Sequence, residues 1–513
     1  MVLSSVMTAK TRVDSHAERN FTVEERNSIM NTKRLIVGML TMCGALLAIT
    51  PATAEEVRIS SIEELAEYAG KSGNHVRMEP GLYRMTEHFT PEKISEMNQR
   101  INKAEEHTDK REAAEFISFN GDDNVFDLRG VTIEFETEKL REPLEQIIHT
   151  PEFVLRGDNN VLKGLKIINT GNGSSSGGCV FEVTGDGNAM RDCTLVVRGS
   201  YPYGYGDLFG FGGKDSQKLL DDDGKLLTGF DKHSGLRING DNNRFIGVSI
   251  YMRSLGHAFY LQGGPENTYF EDCHVEGKMR PTDEMRVDPS GADDEYDFPD
   301  FFEDYYSPDS EEYDLPAIEA RGGRIKPGHV KSLSEDAFRF YSAGKTTFVD
   351  CTAKNMRKGF AVSRGGPADL ENCASIGNGD GFRVSAADDV IKNSRGDARY
   401  GPLLLVLGGG YANVDLELMP TESERRGWKH GQGAALIKGE AGSIVSISPW
   451  QGKKRDSTKP ITIRGSNHTL TNRTSMPVRI TEKARDCKVY SEGEIIQNDG
   501  ENIKILEKGE INK

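Results

Sequence analysis

Between residues 234 and 386 one hydrophobic–polar phrase returns at nearly constant spacing. The copies are Gly235-Leu236-Arg237-Ile238-Asn239, Ala258-Phe259-Tyr260-Leu261-Gln262, Ala337-Phe338-Arg339-Phe340-Tyr341, Gly359-Phe360-Ala361-Val362-Ser363 and Gly381-Phe382-Arg383-Val384-Ser385. Their apolar leaders are spaced by 23, 79, 22 and 22 residues, the long step being one period plus an insertion. Apolar and polar positions alternate within each copy, which is the rhythm of a strand with one buried face. A second phrase follows at constant offset: Tyr269-Phe270-Glu271-Asp272-Cys273-His274-Val275, Phe348-Val349-Asp350-Cys351-Thr352-Ala353 and Leu370-Glu371-Asn372-Cys373-Ala374. Two strand phrases per period, joined by Gly, Asn and Asp, predict an all-β fold, a right-handed parallel β-helix whose coils stack as a solenoid. The Leu/Asn framework of leucine-rich repeats is absent, as are the long helical segments of ankyrin and tetratricopeptide repeats.

The flanking pattern fits such a stack. Residues 62–70 read as an amphipathic capping helix, followed by an opening strand from His75 to Tyr83. Residues 91–116 are charged and helical in pattern. A common corner recurs as Gly121-Asp122-Asp123-Asn124, Gly157-Asp158-Asn159-Asn160, Gly185-Asp186-Gly187-Asn188 and Gly240-Asp241-Asn242-Asn243. These residue types suit left-handed turns, and turn chemistry is favoured over metal binding there. Cys193, Cys273, Cys351 and Cys373 share one slot, so an inward ladder of reduced thiols is expected rather than disulfides. The predicted organisation is 1–54 extension and signal peptide, 55–118 cap and first coil, 119–490 β-helix, and 491–513 a charged C-terminal end that frays after Gly500.

Residues 30–54 have the form of a secretory signal: a basic start, an apolar core over 35–49, and Ala52-Thr53-Ala54 as a cleavage site. The apolar run is short for a membrane span. Export of the mature chain, cut after Ala54, is expected. Losing 1–54 removes six basic and four acidic side chains, leaving the body two charges more negative than the −16 of the whole chain. That acidity argues against nucleic acid and anionic membranes as partners.

Two excursions leave the stack. The first, 199–234, carries Tyr201, Tyr203, Tyr205, Phe209 and Phe211, a set that could grip sugar rings. The second, 279–331, holds 14 Asp and Glu between Asp283 and Asp314. A Ca²⁺-binding flap is one reading of it. Without the oxygen-ligand spacing of an EF-hand loop, a solvated acidic flap is the favoured one, and no metal ligand is assigned.

Stacking aligns equivalent positions about 4.8 Å apart on neighbouring coils. One outward column is then Arg237, Tyr260, Arg339, Ala361 and Arg383, and the next is Asn239, Gln262, Tyr341, Ser363 and Ser385. The residues that begin the strands are Ser234, His257, Asp336, Lys358 and Asp380. Such a track suits carboxylates or sulfates. The segment His274-Val275-Glu276-Gly277-Lys278-Met279-Arg280-Pro281-Thr282-Asp283 is expected at the corner beside it. Both excursions flank the coil of His257.

The coil period, the opening strand and the signal together make residues from about 120 to 480 resemble the pectate-lyase-like superfamily of secreted parallel β-helix proteins, polysaccharide lyases and glycoside hydrolases among them. Gly256-His257-Ala258 and Arg324-Ile325-Lys326 are similar to two tripeptides of polygalacturonase-type hydrolases. The aspartate motifs of those enzymes, and the arginine motif of pectate lyases, have no copies here. The resemblance implies an enzyme acting on a polysaccharide, expected to be anionic. In β-elimination Arg339, Arg383 and Lys358 would neutralise a uronate carboxylate, with His257 as base and Tyr260 as acid. His233, Arg237, Gln262, His274, Glu276, Lys278, Arg280, Asp283 and Arg383 are the expected substrate-binding residues. A hydrolase would instead pair Glu276 with Asp283 or Asp336. A non-catalytic carbohydrate-binding or adhesion protein is the third reading.

Overall fold

The structure, a computed structural model, describes residues 56–510 except 142, 147, 149, 171–177, 199–232, 255, 282–328, 333, 385–387, 409–410, 421–425, 428–432 and 453–458. The expected leader, most of both excursions, Asp283 and the 324–326 tripeptide therefore lie outside the described residues.

The described chain is a right-handed parallel β-helix. One face is a 13-stranded sheet running from Ile117–Phe119 to Ile495–Asn498, with every neighbouring pair parallel. A further 23 strands form an assembly of two columns, joined where the long strand Asp389–Gly396 pairs with both Ala368–Glu371 and Ala374–Ile376, and a small three-stranded sheet stands apart. Before that long strand a coil carries three strands, for example Asp336–Phe340, Thr346–Val349 and Thr352–Lys354, and after it two, for example Leu404–Leu407 and Ala412–Leu418. The sequence pattern had suggested two. The second phrase breaks at a single left-handed residue just before the cysteine slot: Asp192, Asp272, Asp350 and Asn372 all have φ between 51° and 56°. Asp and Asn tolerate that conformation better than other side chains.

Register in the 13-stranded sheet follows the aligned phrases. Leu236 pairs with Phe259, Phe259 with Phe338, Phe338 with Phe360, and Phe360 with Phe382. The last four rings pile up at centroid spacings of 5.1, 4.9 and 5.1 Å, within 7° of parallel. A second stack, Phe245, Phe270 and Phe348, meets the first nearly edge-on, as with Phe338 and Phe348 at 5.2 Å and 76°. Each fully buried ring contributes about 1.5–3 kcal/mol by leaving water.

The recurring corner is a hydrogen-bond ladder. The backbone N–H of Asn124 donates to Asn160 Oδ1, Asn160 to Asn188, and Asn188 to Asn243, at 3.0, 2.8 and 2.8 Å. On its exposed side the Asp122, Asp158 and Asp186 carboxylates accept the N–H of Asp158, Asp186 and Asp241. These carboxylates close the turns between coils. Cys193, Cys273, Cys351 and Cys373 are buried and unbridged, as are Cys179 and Cys487. Burial raises the Cys193 thiol to about 12.

Both ends differ from expectation. The stack opens before the helix, with Glu56–Ile59 paired to His75–Met78. Helix Ile62–Ala69, capped by Ser61 Oγ on the N–H of Glu64, then buries Ile62, Leu65 and Ala69. The charged stretch beyond forms helices Pro91–Lys103 and His107–Ala113. The final segment does not fray at Gly500: Lys504–Ile505 pairs with Lys488–Ser491, and Ile495 and Ile503 rest on the core. Among the described residues no helix is long and apolar enough to cross a membrane.

Candidate active site

The outward face of the 13-stranded sheet carries the polar track. Glu182 pairs with Arg237, Arg237 with Tyr260, Tyr260 with Arg339, Arg339 with Ala361, and Ala361 with Arg383. Asp336, Lys358 and Asp380 align at the strand starts, as the sequence required. They are not a solvated row, however, because Asp336 and Asp380 are fully buried.

The densest cluster surrounds His257, which is 3% exposed. Its Nε2 lies 2.7 Å from the Tyr341 hydroxyl and 3.2 Å from Glu335 Oε2, and its Nδ1 lies 3.6 Å from Asp336 Oδ2. Arg357 donates to Glu335 Oε1 at 2.9 Å and to Asp336 Oδ1 at 3.4 Å. Arg339 approaches Asp336 to 3.6 Å and Lys358 to 3.8 Å. Burial pushes the Asp336 carboxyl up, but Lys358, Arg357, His257 and Arg339 outweigh it and hold the group well below the usual carboxylate range. Burial likewise raises the Tyr341 phenol to about 12, with Glu335 adding to the effect. Tyr341 is nevertheless 39% exposed, and the Arg339 guanidinium sits 4.9 Å above its ring. One accessible phenol is thus backed by a buried imidazole and flanked by a cation.

Tyr260 is turned differently. Its ring lies 5.9 Å from that of His257, but its hydroxyl meets the Cys179 thiol, and burial keeps it well above the ordinary phenol range. Next to it, Glu182 accepts from Asn239 Nδ2 at 2.6 Å and faces Arg237 and Arg111 at 3.4 and 3.5 Å. Arg383 stays on the track, 4.0 Å from Asp380. Gln262 is exposed on the strand edge beside Tyr341.

Other expected binding residues fall elsewhere. His233 is fully buried, with Nε2 3.1 Å from Glu152 and Nδ1 against the Arg198 carbonyl and Asn169, so it acts as a core histidine. His274 and Glu276 lie on a different sheet, in strand His274–Glu276, 3.5 Å apart and with Lys354 3.4 Å from Glu276. The left-handed bend at Asp272 sends them there. Lys278 is exposed just beyond that strand, and Arg280 lies in strand Met279–Pro281 at the base of the second excursion. This strand pairs with His329–Ser332, which in turn pairs with Arg426–Gly427 four coils further along the stack. Tyr341, Glu335 and Arg357 were absent from the expected site. Tyr341 was visible as the next outward slot of the repeat, whereas Glu335 and Arg357 sit in corners that the repeat does not specify.

No protein-family model and no curated protein matches the chain. Solved structures are similar to it. One is a mannuronic-acid-specific polysaccharide family 6 lyase from human gut microbiota, at 10% identity and a TM-score of 0.40, covering 89% of this chain and 84% of that one. Another is a PL6 alginate lyase in complex with a trisaccharide, at 10% identity and TM-score 0.35, covering 88% and 85%. A third is an endo-xylogalacturonan hydrolase from Aspergillus tubingensis, at 10% identity and TM-score 0.27, covering 88% and 93%.

Calcium was the one cofactor considered from the sequence. Among the described residues no three His, Cys, Asp or Glu side chains converge as a metal site. Glu182, Glu335, Asp336 and Asp380 each face a cationic side chain already. This face does not fit a divalent ion, and no step is derived through one.

Proposed function

We propose that the protein is an exported carbohydrate-active enzyme, a polysaccharide lyase that cleaves an anionic, uronate-containing glycan by β-elimination. The observation that carries the reading is the 2.7 Å contact between the accessible Tyr341 hydroxyl and buried His257, beside the Arg339 guanidinium. Arg339 neutralises the substrate's C5 carboxylate, which makes the α-proton acidic. Tyr341 passes its proton to His257, and its oxygen takes the C5 proton. The C4–O bond then breaks as the C4–C5 double bond forms, and the phenol returns that proton to the departing oxygen. His257 finally restores the phenol. Glu335 and Asp336 fix the imidazole from both sides. The track as a whole favours an anionic substrate, with Arg383 and Lys358 as further cations near the path of the chain.

A paired-carboxylate hydrolase draws less support. Glu335 and Asp336 are buried and tied to Arg357, and Glu276 lies on another sheet. Purified protein should be assayed against a panel of acidic polysaccharides for the ultraviolet absorbance of the new double bond. Tyr341→Phe should lower that rate by on the order of 10²–10⁴ while leaving thermal stability nearly intact. An unchanged rate in this variant removes the site. Reducing ends without absorbance would mean a hydrolase, and binding without turnover an adhesion protein.

A further inference from the structure

The outward column of the 13-stranded sheet begins before Arg237. Its opening rungs carry Ser118, Val154 and Glu182, aligned with one another and then with Arg237. An outward slot faces water unless another part of the chain covers it, yet Val154 is 1% and Glu182 6% exposed. Helix His107–Ala113 and the residues just past it lie over these rungs. Arg111 reaches Glu182 at 3.5 Å, and Glu112 lies 3.7 Å from Arg156, which directly follows strand Phe153–Leu155. Glu115 accepts from both terminal nitrogens of Arg156 at 2.5 Å, and from the Ser118 hydroxyl at 2.7 Å. The helical excursion is therefore pinned to three successive coils, on top of the track and not beside it.

This places a stop at one end of the track. Arg339 stands three rungs from Glu182, through Arg237 and Tyr260, or about 14 Å at about 4.8 Å per rung. A glycan laid along the column past the Tyr341 hydroxyl meets folded protein after a few sugars. The stop is also polar. Glu182 is fixed by Asn239 Nδ2 at 2.6 Å and by Arg237 and Arg111, whose side chains are 20% and 29% exposed. A guanidinium carries five N–H donors in a fixed fork, so one that leans on Glu182 can share the rest with a ligand. The cations suit the carboxylate of a terminal uronate, and Glu182 suits its hydroxyls.

We propose that Arg111, with Glu182 and Arg237, recognises the end of the polysaccharide, so that the protein cuts from a chain end and releases one short product of fixed length. The inference rests on the reading of the track as a lyase site and adds its mode of action. Arg111 does not touch the reacting atoms. It sets where the terminal sugar halts, and the three rungs to Arg339 set how much chain lies between that halt and the broken bond. Helix His107–Ala113 then gauges length, a task the charged pattern of 91–116 did not reveal.

The test is the size distribution of products from polygalacturonate and alginate, followed by gel filtration of the full protein's digests from the earliest turnover. Ultraviolet absorbance and reducing ends are read on the same fractions. One short product should accumulate from the outset while the polymer peak keeps its position. In Arg111→Ala the KM for a purified uronate oligosaccharide just long enough to be cut should rise about tenfold, the size of one charge-assisted contact, with kcat nearly unchanged. The Arg111→Lys variant, which keeps the charge and guards against a folding defect, should recover most of that loss. An early ladder of many lengths that carries the absorbance overturns the stop and leaves the lyase. A single short product without absorbance leaves the stop standing and removes the lyase. A wild-type KM in Arg111→Ala overturns the role of Arg111, and cleavage of neither polymer removes both readings.

Discussion

The two faces of the 13-stranded sheet obey opposite rules. On the inner face Phe259, Phe338, Phe360 and Phe382 repeat the same ring in the same orientation, rung after rung. On the outer face the same strands carry Tyr260, Arg339, Ala361 and Arg383, no two neighbours alike. Identical rungs are what stacking stabilises, since each ring needs only its neighbours above and below. Dissimilar rungs add nothing to that regularity, and their burial around His257 must be compensated by ion pairs instead. The difference separates what holds the coils together from what can do chemistry.

Replacing Phe360 with Ala should have the largest effect on stability, about 3–5 kcal/mol in denaturant unfolding, because rings above and below lose their contacts at once. A loss below about 1 kcal/mol would mean that the inner stack is not cooperative.

Asp336→Asn probes the outer face and should cost about 3 kcal/mol at neutral pH, since it removes a buried carboxylate from beside the largely covered Arg357 and Lys358. The folded carboxyl is held below its ordinary value of 3.8, so its contribution is complete above the unfolded value and is lost as pH falls through the folded one. The stability gap between variant and wild type should therefore narrow as unfolding is measured below about pH 4. A gap independent of pH would contradict the ion-pair assignment.

Asn188→Ala removes one rung of the corner ladder and strands a buried N–H of Asn160, for about 1–3 kcal/mol by thermal unfolding. The smallest effect should come from Glu276→Gln on the other sheet. Its partners Lys354 and His274 are partly exposed, so stability should shift by less than about 1 kcal/mol and turnover not at all. Lost turnover in Glu276→Gln would bring that sheet back into the site.

Much of this was legible beforehand. The apolar leaders gave the register, because a one-residue slip would have turned every phenylalanine outward. The Gly, Asp and Asn corners announced left-handed turns, and the cysteine slot announced a thiol ladder. Less legible was the bend at Asp272, a single positive φ inside an apparently continuous strand phrase, which moved His274 and Glu276 off the track. The partner of His257 was equally hidden: Tyr260 and Tyr341 stand in successive outward slots on adjacent coils, and only side-chain direction decides which hydroxyl meets the imidazole.

By itself the amino-acid sequence determined the coil, its period and which side chains face inward, since burial of apolar residues at a fixed spacing leaves one economical solution. Only the tertiary structure decided which polar groups touch, because contacts across 80 residues depend on corners and rotamers that local pattern does not encode. The fold follows from repetition, and the site depends on where repetition fails.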